Sequence, residues 1–588
     1  MDYKDLTKTY SALEKTTKRL EKTAAIAELL KKTPKKELSI ILPLLEGRIF
    51  PKWDQRELGV ASRIVLKSMN IASGISAVKI EDMWKKAGDL GDVAESIFSK
   101  KEQSTLFSSK LDIKKVFENF QNLALLEGQG TVDRKVKLIA ELLTSAEPLE
   151  AKYITRTVLQ DLRIGVGEGS LRDAIVWAYF GEKIGIIYNK EENDINLDEE
   201  KRKLYNRYSD AVQNAYDMLN QFSEVAEIAK DSGLEGLNKV KLKVNTPINL
   251  MLFKKAEDIE DAFERVGSPA AIEYKYDGFR LEIHKKDNKI KLFTRRLEDV
   301  SRQFPDVIRY IKENIDADSF ILDAEIIGID RRTGKYKPFQ DISQRIKRKY
   351  NIEQMAKDIP VMVNIFDAIL VNKKDLIKTP FQQRRKQIED ITNPAEFRIA
   401  IAEQIITDDL EKANEFYQKA LSLGNEGIMV KNLEAPYKPG SRVGYGVKVK
   451  PTMETLDLVI TGAEWGEGKR ANWLSSFIIS CKDNGEFKEI GRVGTGIKEK
   501  GTEGITFEQL TKMLKPLITK EKAKHVDVKP KIVIEVDYEE IQASPTYSSG
   551  FALRFPRLVR LRQDKPLEEV SDLKQIKEFY RSQRQRNR

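Results

Sequence analysis

The sequence predicts a multidomain protein with an all-α N-terminal domain over residues 1–240, an α+β domain over 241–450 and a small β-barrel over 451–588. Its 588 residues are enough for roughly three or four domains that each bury a core. Strand-like alternation is scarce before about residue 240 and begins near 244–250. From about Leu456 it gives way to short apolar segments separated by glycines. These changes of pattern set the three boundaries.

The composition limits the classes of protein to which this chain can belong. With 40% hydrophobic and 33% charged residues it is typical of soluble proteins, and no run of about 18 apolar residues could span a membrane. The N-terminus lacks the pattern of a secretion signal. The single cysteine, Cys481, excludes a disulfide framework and favours a reducing, cytoplasmic compartment. The net charge of +10 permits a polyanionic partner but does not require one.

The first 240 residues carry the spacing of helices. Leu6, Leu13, Leu20 and Ala27 recur at intervals of seven residues, which predicts one long first helix that Pro34 ends.

A glycine-rich run, Arg-Ile-Gly-Val-Gly-Glu-Gly over 163–169, stands between two helical patterns. It lacks the preceding strand and the spacing of a dinucleotide-binding loop, so we reject that interpretation. Glycines between helices let backbone N–H groups approach phosphates closely, although a plain turn with solvated charges is an equal alternative. The candidate phosphate contacts are Lys152, Arg156, Arg163, Gly165, Gly167 and Arg172.

The middle region contains the most informative stretch, Glu-Tyr-Lys-Tyr-Asp-Gly-Phe-Arg over 273–280. Lys275 stands where a strand gives way to an Asp-Gly turn, and Phe279 opens the alternation of a hairpin strand. A lysine on a rigid strand end suits a covalent nucleophile. A surface lysine before a hairpin turn is the alternative interpretation.

Further strand ends downstream carry charged or aromatic side chains. A nucleoside triphosphate needs cations for its phosphates, carboxylates for magnesium and an aromatic face for its base. We expect the neighbouring cations to lower the pKa of Lys275 and so free its amine for attack. Each residue alone could instead be a salt-bridge partner or part of the core. The candidates are Arg295, Glu325, Phe366, Glu426, Lys448 and Lys450.

The C-terminal region predicts a small barrel. Short strands are expected at Leu458–Thr461, Phe477–Ser480 and Ile532–Val536, with one helix around Phe507–Leu514. Five or so short strands in about 130 residues suit a barrel of the OB type.

The order of these motifs resembles that of the covalent nucleotidyltransferases. The Lys-x-Asp-Gly pattern, the clusters that follow it and Arg-Gln-Asp-Lys over 562–565 resemble ATP-dependent DNA ligases of the archaeal and eukaryotic replicative type. The helical region is similar to their DNA-binding domain at 127–130 and 150–154. The resemblance covers essentially the whole chain. It implies a cytoplasmic, nucleoid-associated monomer that seals nicked duplex DNA in replication, repair and recombination, using ATP and Mg²⁺ or Mn²⁺.

The resemblance also implies a role for each matching residue. Lys275 would become lysyl-AMP, Glu325 and Glu426 would hold the metal, and the nucleotide would be bound by residues of two domains. Glu273 would read the adenine amine, Phe366 would stack on the base, and the other nucleotide contacts would be Arg280, Arg295, Glu325, Arg442, Lys448 and Lys450. Arg562, Asp564 and Lys565 would orient pyrophosphate, which requires the barrel to swing over the site.

Two positions depart from the family pattern. Gly446 stands where a tryptophan is usual, two residues before Lys448. The segment 249–253 reads Asn-Leu-Met-Leu-Phe where Lys-Pro-Met-Leu-Ala is usual, so Phe253 replaces an alanine.

Several alternatives remain open from the sequence. An NAD-dependent ligase is disfavoured because one cysteine cannot form the zinc site of that family. A capping enzyme or RNA ligase would share Lys275 but not explain the helical region, and a non-catalytic duplex-binding scaffold would not require Lys275. Gln103, Leu106 and Phe107 resemble a sliding-clamp peptide, although the start of a helix is equally consistent. No membrane partner is expected.

Overall fold

The computed structural model describes most of the chain. The described residues are 1–99, 110–337, 339–346, 348, 350–440, 442–451, 453–466, 470, 472–499, 501, 504–522 and 524–586. For residues 340, 442, 443 and 584–586 only the backbone is described. The suggested clamp residues Gln103, Leu106 and Phe107 lie outside these ranges. Within them, no helix combines the length and apolarity needed to cross a bilayer.

Helices make up nearly all of the N-terminal region. They are α1 Tyr3–Lys15, α2 Arg19–Lys32, α3 Leu38–Leu45, α4 Ser62–Ser73, α5 Ala77–Ala87, α6 Leu90–Ser99, α7 Ile113–Leu125, α8 Thr131–Ser145, α9 Pro148–Val158, α10 Glu168–Ile184, α11 Glu199–Leu219 and α12 Phe222–Asn238. A two-stranded ribbon, β1 Tyr188–Asn189 and β2 Asp194–Ile195, precedes α11. The apolar faces of the helices converge on one core, in which Tyr10 and Ile139 are fully buried.

The single long first helix that we predicted is wrong. The Lys18 N–H donates a 3.1 Å hydrogen bond to Thr16 Oγ1, and Thr16 is in extended backbone, so α1 ends at Lys15. A threonine hydroxyl that takes a nearby backbone donor competes with the helix for it.

The middle region interleaves strands and helices. Its elements are β3 Leu252–Lys255, α13 Ile259–Val266, β4 Ala270–Lys275, β5 Phe279–Lys286, β6 Lys289–Thr294, α14 Pro305–Asn314, β7 Ser319–Ile329, β8 Tyr336–Lys337, α15 Phe339–Ile346, α16 Ile352–Asp358, β9 Val361–Val371, β10 Lys374–Asp375, α17 Phe381–Ile391, β11 Ile399–Ile401, β12 Gln404–Thr407, α18 Leu410–Ser422, β13 Gly427–Asn432 and β14 Arg442–Val449. The predicted hairpin is confirmed: β5 and β6 are joined through Asp287, whose φ is +54°.

The strands of this region form two sheets. The β4 sheet has the order β12-β4-β13-β14-β3, and the β7 sheet has the order β10-β9-β7-β5-β6. In the β7 sheet, Leu281, Ala324 and Ile365 belong to a core that α14 and α17 cover. Residues of the opposite face, among them Ile327 and Met362, pack with side chains of the β4 sheet. A cleft between two sheets follows from this packing.

The C-terminal region is rich in strands. Its elements are β15 Leu456–Trp465, β16 Leu474–Asp483, β17 Glu486–Val493, α19 Phe507–Leu514, β18 Ile518–Lys522, β19 His525–Val528, β20 Val533–Asp537, β21 Glu540–Ala543, β22 Phe551–Arg554, β23 Arg557–Leu561 and α20 Leu573–Arg586. The multidomain architecture and the predicted helix α19 are confirmed. The assignment of this region to the OB type stays a prediction, as do the domain boundaries.

Candidate active site

Lys275 is the last residue of β4 and lies at the cleft between the two sheets. The turn that follows passes very close to β7: a Cβ at Gly278 would lie 2.3 Å from the carbonyl oxygen of Ile326. Only glycine fits this approach, because any side chain would push the turn away. The Asp-Gly turn therefore fixes the end of the lysine strand against the neighbouring sheet.

The amine of Lys275 pairs with the carboxylate of Glu426. Lys275 Nζ lies 2.5 Å from Glu426 Oε2, and the Glu426 N–H donates a 2.8 Å hydrogen bond to the Lys275 carbonyl. Gly427 follows, with a φ of +148° and no room for a Cβ, which would lie 2.2 Å from the Val449 carbonyl oxygen. This close backbone approach sets Glu426 directly against the lysine.

The pKa that we predicted for Lys275 is wrong in direction for this structure. Burial acts to lower the pKa of Lys275, but the carboxylates of Glu426, Glu325 and Asp277 outweigh it and raise the pKa. Burial and the charges of Lys450 and Lys275 do lower the pKa of Lys448. The charge nearest to the Lys275 amine is thus a carboxylate, and the amine stays protonated here.

Glu325 faces the same cleft from β7. Burial raises its pKa to about 8, although Lys275 and Arg280 act to lower it. Together with Glu426 it gives two carboxylates near the nucleophile. No group of three or more metal-ligating side chains occurs among the described residues. Two carboxylates completed by phosphate oxygens and water are the arrangement that Mg²⁺ favours beside a nucleotide, so the donor set fits this metal.

Glu273 is held by hydrogen-bonding and cationic neighbours. Its side chain is 2% exposed, lies 2.5 Å from Lys431 Nζ and accepts a 2.9 Å hydrogen bond from Gln404 Nε2. Lys431 Nζ is also 4.8 Å from the centre of the Phe366 ring. A fixed carboxylate next to a half-buried aromatic ring is able to recognise a base that carries an amine.

Arg280 also lies near the Phe366 ring, with its guanidinium carbon 5.2 Å from the ring centre. Its Nε is 2.7 Å from Asp323 Oδ1, and its NH1 donates to the Met251 carbonyl at 2.8 Å. These bonds fix the guanidinium before a ligand arrives. Arg295 is exposed in the turn after β6 and is not held in this way.

The lysines of β14 complete the cleft. Glu273, Met429 and Lys448 are directly opposite one another across β4, β13 and β14, so their side chains share one face. Lys450 Nζ lies 3.6 Å from Glu426 Oε2 and 3.5 Å from Glu539 Oε1. Arg442 is the first residue of β14. Two cations therefore stand beside the Lys275–Glu426 pair.

The two departures from the family pattern meet in space. A Cβ at Gly446 would lie 2.7 Å from Cε1 of Phe253, so the ring of Phe253 fills the space beside residue 446. The large side chain at this place belongs to β3 and not to β14.

The Arg-Gln-Asp-Lys motif over 562–565 is not at the cleft in this structure. Both Arg562 NH1 and Lys565 Nζ contact Asp457, at 2.8 and 2.5 Å, and Arg562 also pairs with Asp564. Asp457 lies near the start of β15, so these contacts stay within the C-terminal region. The part of that region that reaches the cleft is instead the segment with Glu539 and Arg554; the guanidinium carbon of Arg554 is 5.8 Å from the ring of Phe339.

Two of the predicted DNA contacts, the buried Arg156 and the partly buried Lys152, belong to an ionic network. Arg156 is 4% exposed and pairs with Glu14, Asp89 and Asp92 at 3.0–3.2 Å. Lys152 is 12% exposed and shares Glu14 and Asp92. Because these two side chains are largely shielded from solvent and paired with acids, they link helices in this structure and present little charge to a phosphate.

The glycine-rich run is better placed for a partner. It connects α9 to α10, with Gly165 and Gly167 exposed and Gly165 at a φ of +59°. The buried Lys22 donates to the Gly165 carbonyl at 2.9 Å and so fixes the loop from beneath. Arg163 is partly exposed and pairs with Asp89 and Asp161, while Arg172 pairs with Asp173.

Three residues of the site were not found from the sequence. Lys431 could have been, because it is two residues beyond Met429 on the strand that follows Glu426. Asp323 likewise alternates with Glu325 on β7. Asp457 gave no signal, because its partners lie more than 100 residues away in sequence.

Comparison with known proteins places the chain in one family. The family model described as "ATP dependent DNA ligase domain" matches residues 250–450. Models described as "DNA ligase N terminus" and "ATP dependent DNA ligase C terminal region" match residues 2–176 and 470–565.

Curated relatives match over nearly their full length. The DNA ligase of Nanoarchaeum equitans is 47% identical over 99% of both chains. That of Thermococcus fumicolans is 42% identical over 99% of this chain and 98% of its own. Among solved structures, Pmar-Lig_Pre aligns with a TM-score of 0.55 at 16% identity, over 95% of this chain and 99% of its own, which is a likeness of fold alone. The chain therefore belongs to the family of ATP-dependent DNA ligases and is an enzyme.

Proposed function

We propose that this enzyme seals nicks in duplex DNA through an AMP carried on Lys275. The observation that carries the proposal is the position of the Lys275 amine, which lies 2.5 Å from Glu426 and within a cleft that also holds Glu273, Phe366 and Lys448. The proposed nucleophile, the carboxylate that would read the base and a cation for phosphate thus share one face of the β4 sheet, and Phe366 reaches the same cleft from the β7 sheet.

The first step is self-adenylation. The lone pair of Lys275 Nζ attacks the α-phosphorus of ATP, a P–N bond forms, and the bond to pyrophosphate breaks. The amine must lose its proton to water before this attack, and the hydrogen bond that it donates to Glu426 Oε2 opposes that loss while Glu426 is free. Lys448 and Lys450 neutralise the charge that develops on the α-phosphate. Arg442 and Arg295 complete the nucleotide contacts.

Glu325 and Glu426 are the residues that would hold Mg²⁺ or Mn²⁺. When bound, the metal supplies charge neutralisation for the phosphates. Glu426 would then no longer be free to hold a proton on Lys275, which links loading of the site to release of the amine.

Two transfers to DNA follow. The 5′-phosphate at the nick takes AMP from Lys275, which leaves as the free amine, and the 3′-hydroxyl then displaces AMP to form the phosphodiester. Arg562, Asp564 and Lys565 would act only in the first step, with the C-terminal region swung over the cleft to orient pyrophosphate.

DNA is proposed to bind through backbone phosphates. The exposed loop around Gly165 and Gly167, with Arg163 and Arg172 beside it, supports this role for the helical region. Binding should be sensitive to salt and indifferent to sequence. We further propose a monomer that acts in replication, repair and recombination, and that docks on a sliding clamp through Gln103, Leu106 and Phe107.

One experiment tests the proposal. Wild-type protein and a Lys275→Ala variant are incubated with α-labelled ATP or GTP and Mg²⁺, denatured, and assayed for retained label. We expect label from ATP on the wild type only, discharged by nicked DNA and not by nicked RNA. Labelling of the variant would remove Lys275 as the nucleophile. Labelling by GTP, or discharge by RNA, would favour a capping enzyme or an RNA ligase instead.

A further inference from the structure

Asn364 lies in the floor of the cleft, although no motif marks it. It is directly opposite Glu325 across β9 and β7, and Glu325 is directly opposite Arg280 across β7 and β5. Directly opposed residues of antiparallel strands place their side chains on the same face. The other face carries Ala324 and Ile365 in the apolar core, so Asn364 is on the face that turns toward the β4 sheet.

The side-chain amide of Asn364 is buried but lacks a partner for its donor. The residue is 1% exposed, and its Nδ2 makes no hydrogen bond within the described structure. Buried amide groups are nearly always hydrogen-bonded. Two acidic side chains of β7 lie nearby: Glu325, directly opposite, does not accept from Asn364 Nδ2 in this structure, and Asp323 is already occupied by Arg280 and by the Tyr437 hydroxyl at 3.1 Å. The N–H donor of Asn364 is therefore available to a hydrogen-bond acceptor on a bound ligand.

The position of Asn364 indicates which part of a nucleotide that group belongs to. Phe366, the ring proposed to stack on the base, is two residues along β9, or about 7 Å away. Glu325, the carboxylate proposed to hold the metal near the phosphates, is its cross-strand neighbour at a Cβ separation of about 5 Å. In a nucleotide, the ribose joins the base to the phosphates.

We propose that Asn364 Nδ2 donates a hydrogen bond to a ribose hydroxyl of the bound ATP and so makes the enzyme select the ribonucleotide. This inference rests on the proposed function, because it takes the base and phosphate positions from it. Asn364 is then a specificity-determining residue for the adenylation step. Its contribution exists only for a substrate that carries the hydroxyl.

The test compares self-adenylation of Asn364→Leu and wild type with ATP, 2′-deoxyATP and 3′-deoxyATP. We expect the wild type to use ATP better than one of the deoxy analogues by about tenfold, the worth of one ordinary hydrogen bond. In Asn364→Leu the ATP rate should fall to the rate of that analogue, whose own rate stays unchanged. The ratio of two substrates within one preparation is independent of the fraction of folded protein.

Asn119→Leu provides a matched control, because Asn119 Nδ2 in α7 is also buried without a partner but lies in the helical region. It should leave the ratios as in wild type. An equal loss of rate for all three nucleotides in Asn364→Leu would mean that the residue has only a structural role, and it would overturn the inference. Equal rates of the wild type with ATP and both deoxy analogues would overturn it as well. Failure of the wild type to take label from ATP would instead overturn the proposed function.

Discussion

Lys275 Nζ lies 2.5 Å from Glu426 Oε2, and the same oxygen is 3.6 Å from Lys450 Nζ. One carboxylate thus pairs with both lysines, and it is the main reason that the pKa of Lys275 is raised against the effect of burial. Whether the Lys275 amine is protonated therefore depends on what Glu426 binds.

Glu426→Gln should lower the pKa of Lys275, because the amide keeps the shape of the side chain but removes its charge. The pKa is measurable from the pH dependence of reductive methylation of Lys275, followed by mass spectrometry. Glu539→Gln is the control, since Glu539 pairs with Lys450 and not with Lys275. An unchanged methylation profile in Glu426→Gln would contradict the role assigned to this ion pair.

Glu46 gives a pH dependence of stability in the helical region. It follows α3, and burial raises its pKa to about 7, although Lys52 and Arg48 act to lower it. A folded-state pKa above the unfolded value stabilises the fold fully below about pH 4.5, and the effect is lost as the pH rises through 7.

Glu46→Gln should therefore stabilise the protein at pH 8, where the wild type carries a buried charge, by about 2–3 kcal/mol. At pH 4 the two proteins should unfold at similar temperatures. Glu28→Gln, at an exposed position of α2, should change neither value. Equal unfolding midpoints of wild type and Glu46→Gln at pH 8 would show that Glu46 is not buried as a charge.

Gly446 and Phe253 should behave as one packing unit. Gly446→Trp alone forces a ring into the space that Phe253 occupies, and overpacking of this kind costs about 1–3 kcal/mol. The double variant Gly446→Trp with Phe253→Ala should recover most of that loss, since one large residue replaces the other. Thermal unfolding of the two single variants and the double variant measures the coupling. Strictly additive losses would mean that the two side chains do not share the space.

Arg156→Met should destabilise the helical region without changing how DNA binding responds to salt. Removing Arg156 takes away a cation that Glu14, Asp89 and Asp92 share in a buried ionic network, at a cost of about 3–5 kcal/mol. Because Arg156 is not offered to a phosphate, the slope of log affinity against log salt should match that of wild type. A slope smaller by about one unit would restore Arg156 as a phosphate contact.

The catalytic strand ends could be predicted from the sequence because their signals are local. The hairpin of β5 and β6 follows from alternation around Asp287, and Lys275 is marked by its neighbours within a few positions. The pairing of Arg156 with Asp89 has no local signal, because it joins residues 67 positions apart and no periodicity in the sequence predicts it. The break after Lys15 was missed because a threonine hydroxyl, rather than a loss of apolar spacing, ended the helix.

The pKa of Lys275 was predicted with the wrong sign for a related reason. Sequence order showed several cations that could surround the amine, but only the close backbone approach at Gly427 shows that Glu426 is nearest. The strength of an electrostatic effect depends on distance, which spacing along the chain does not give.

Asp457 has a consequence for the order of events in the proposed cycle. By holding Arg562 and Lys565, it provides these cations with an internal counter-ion. A polyphosphate that recruits them has to displace a carboxylate and not merely water, so the two cations have an internal partner to which they return when pyrophosphate departs. The later steps on DNA then proceed with those two charges already satisfied, and they do not compete with the nicked strand for its phosphates.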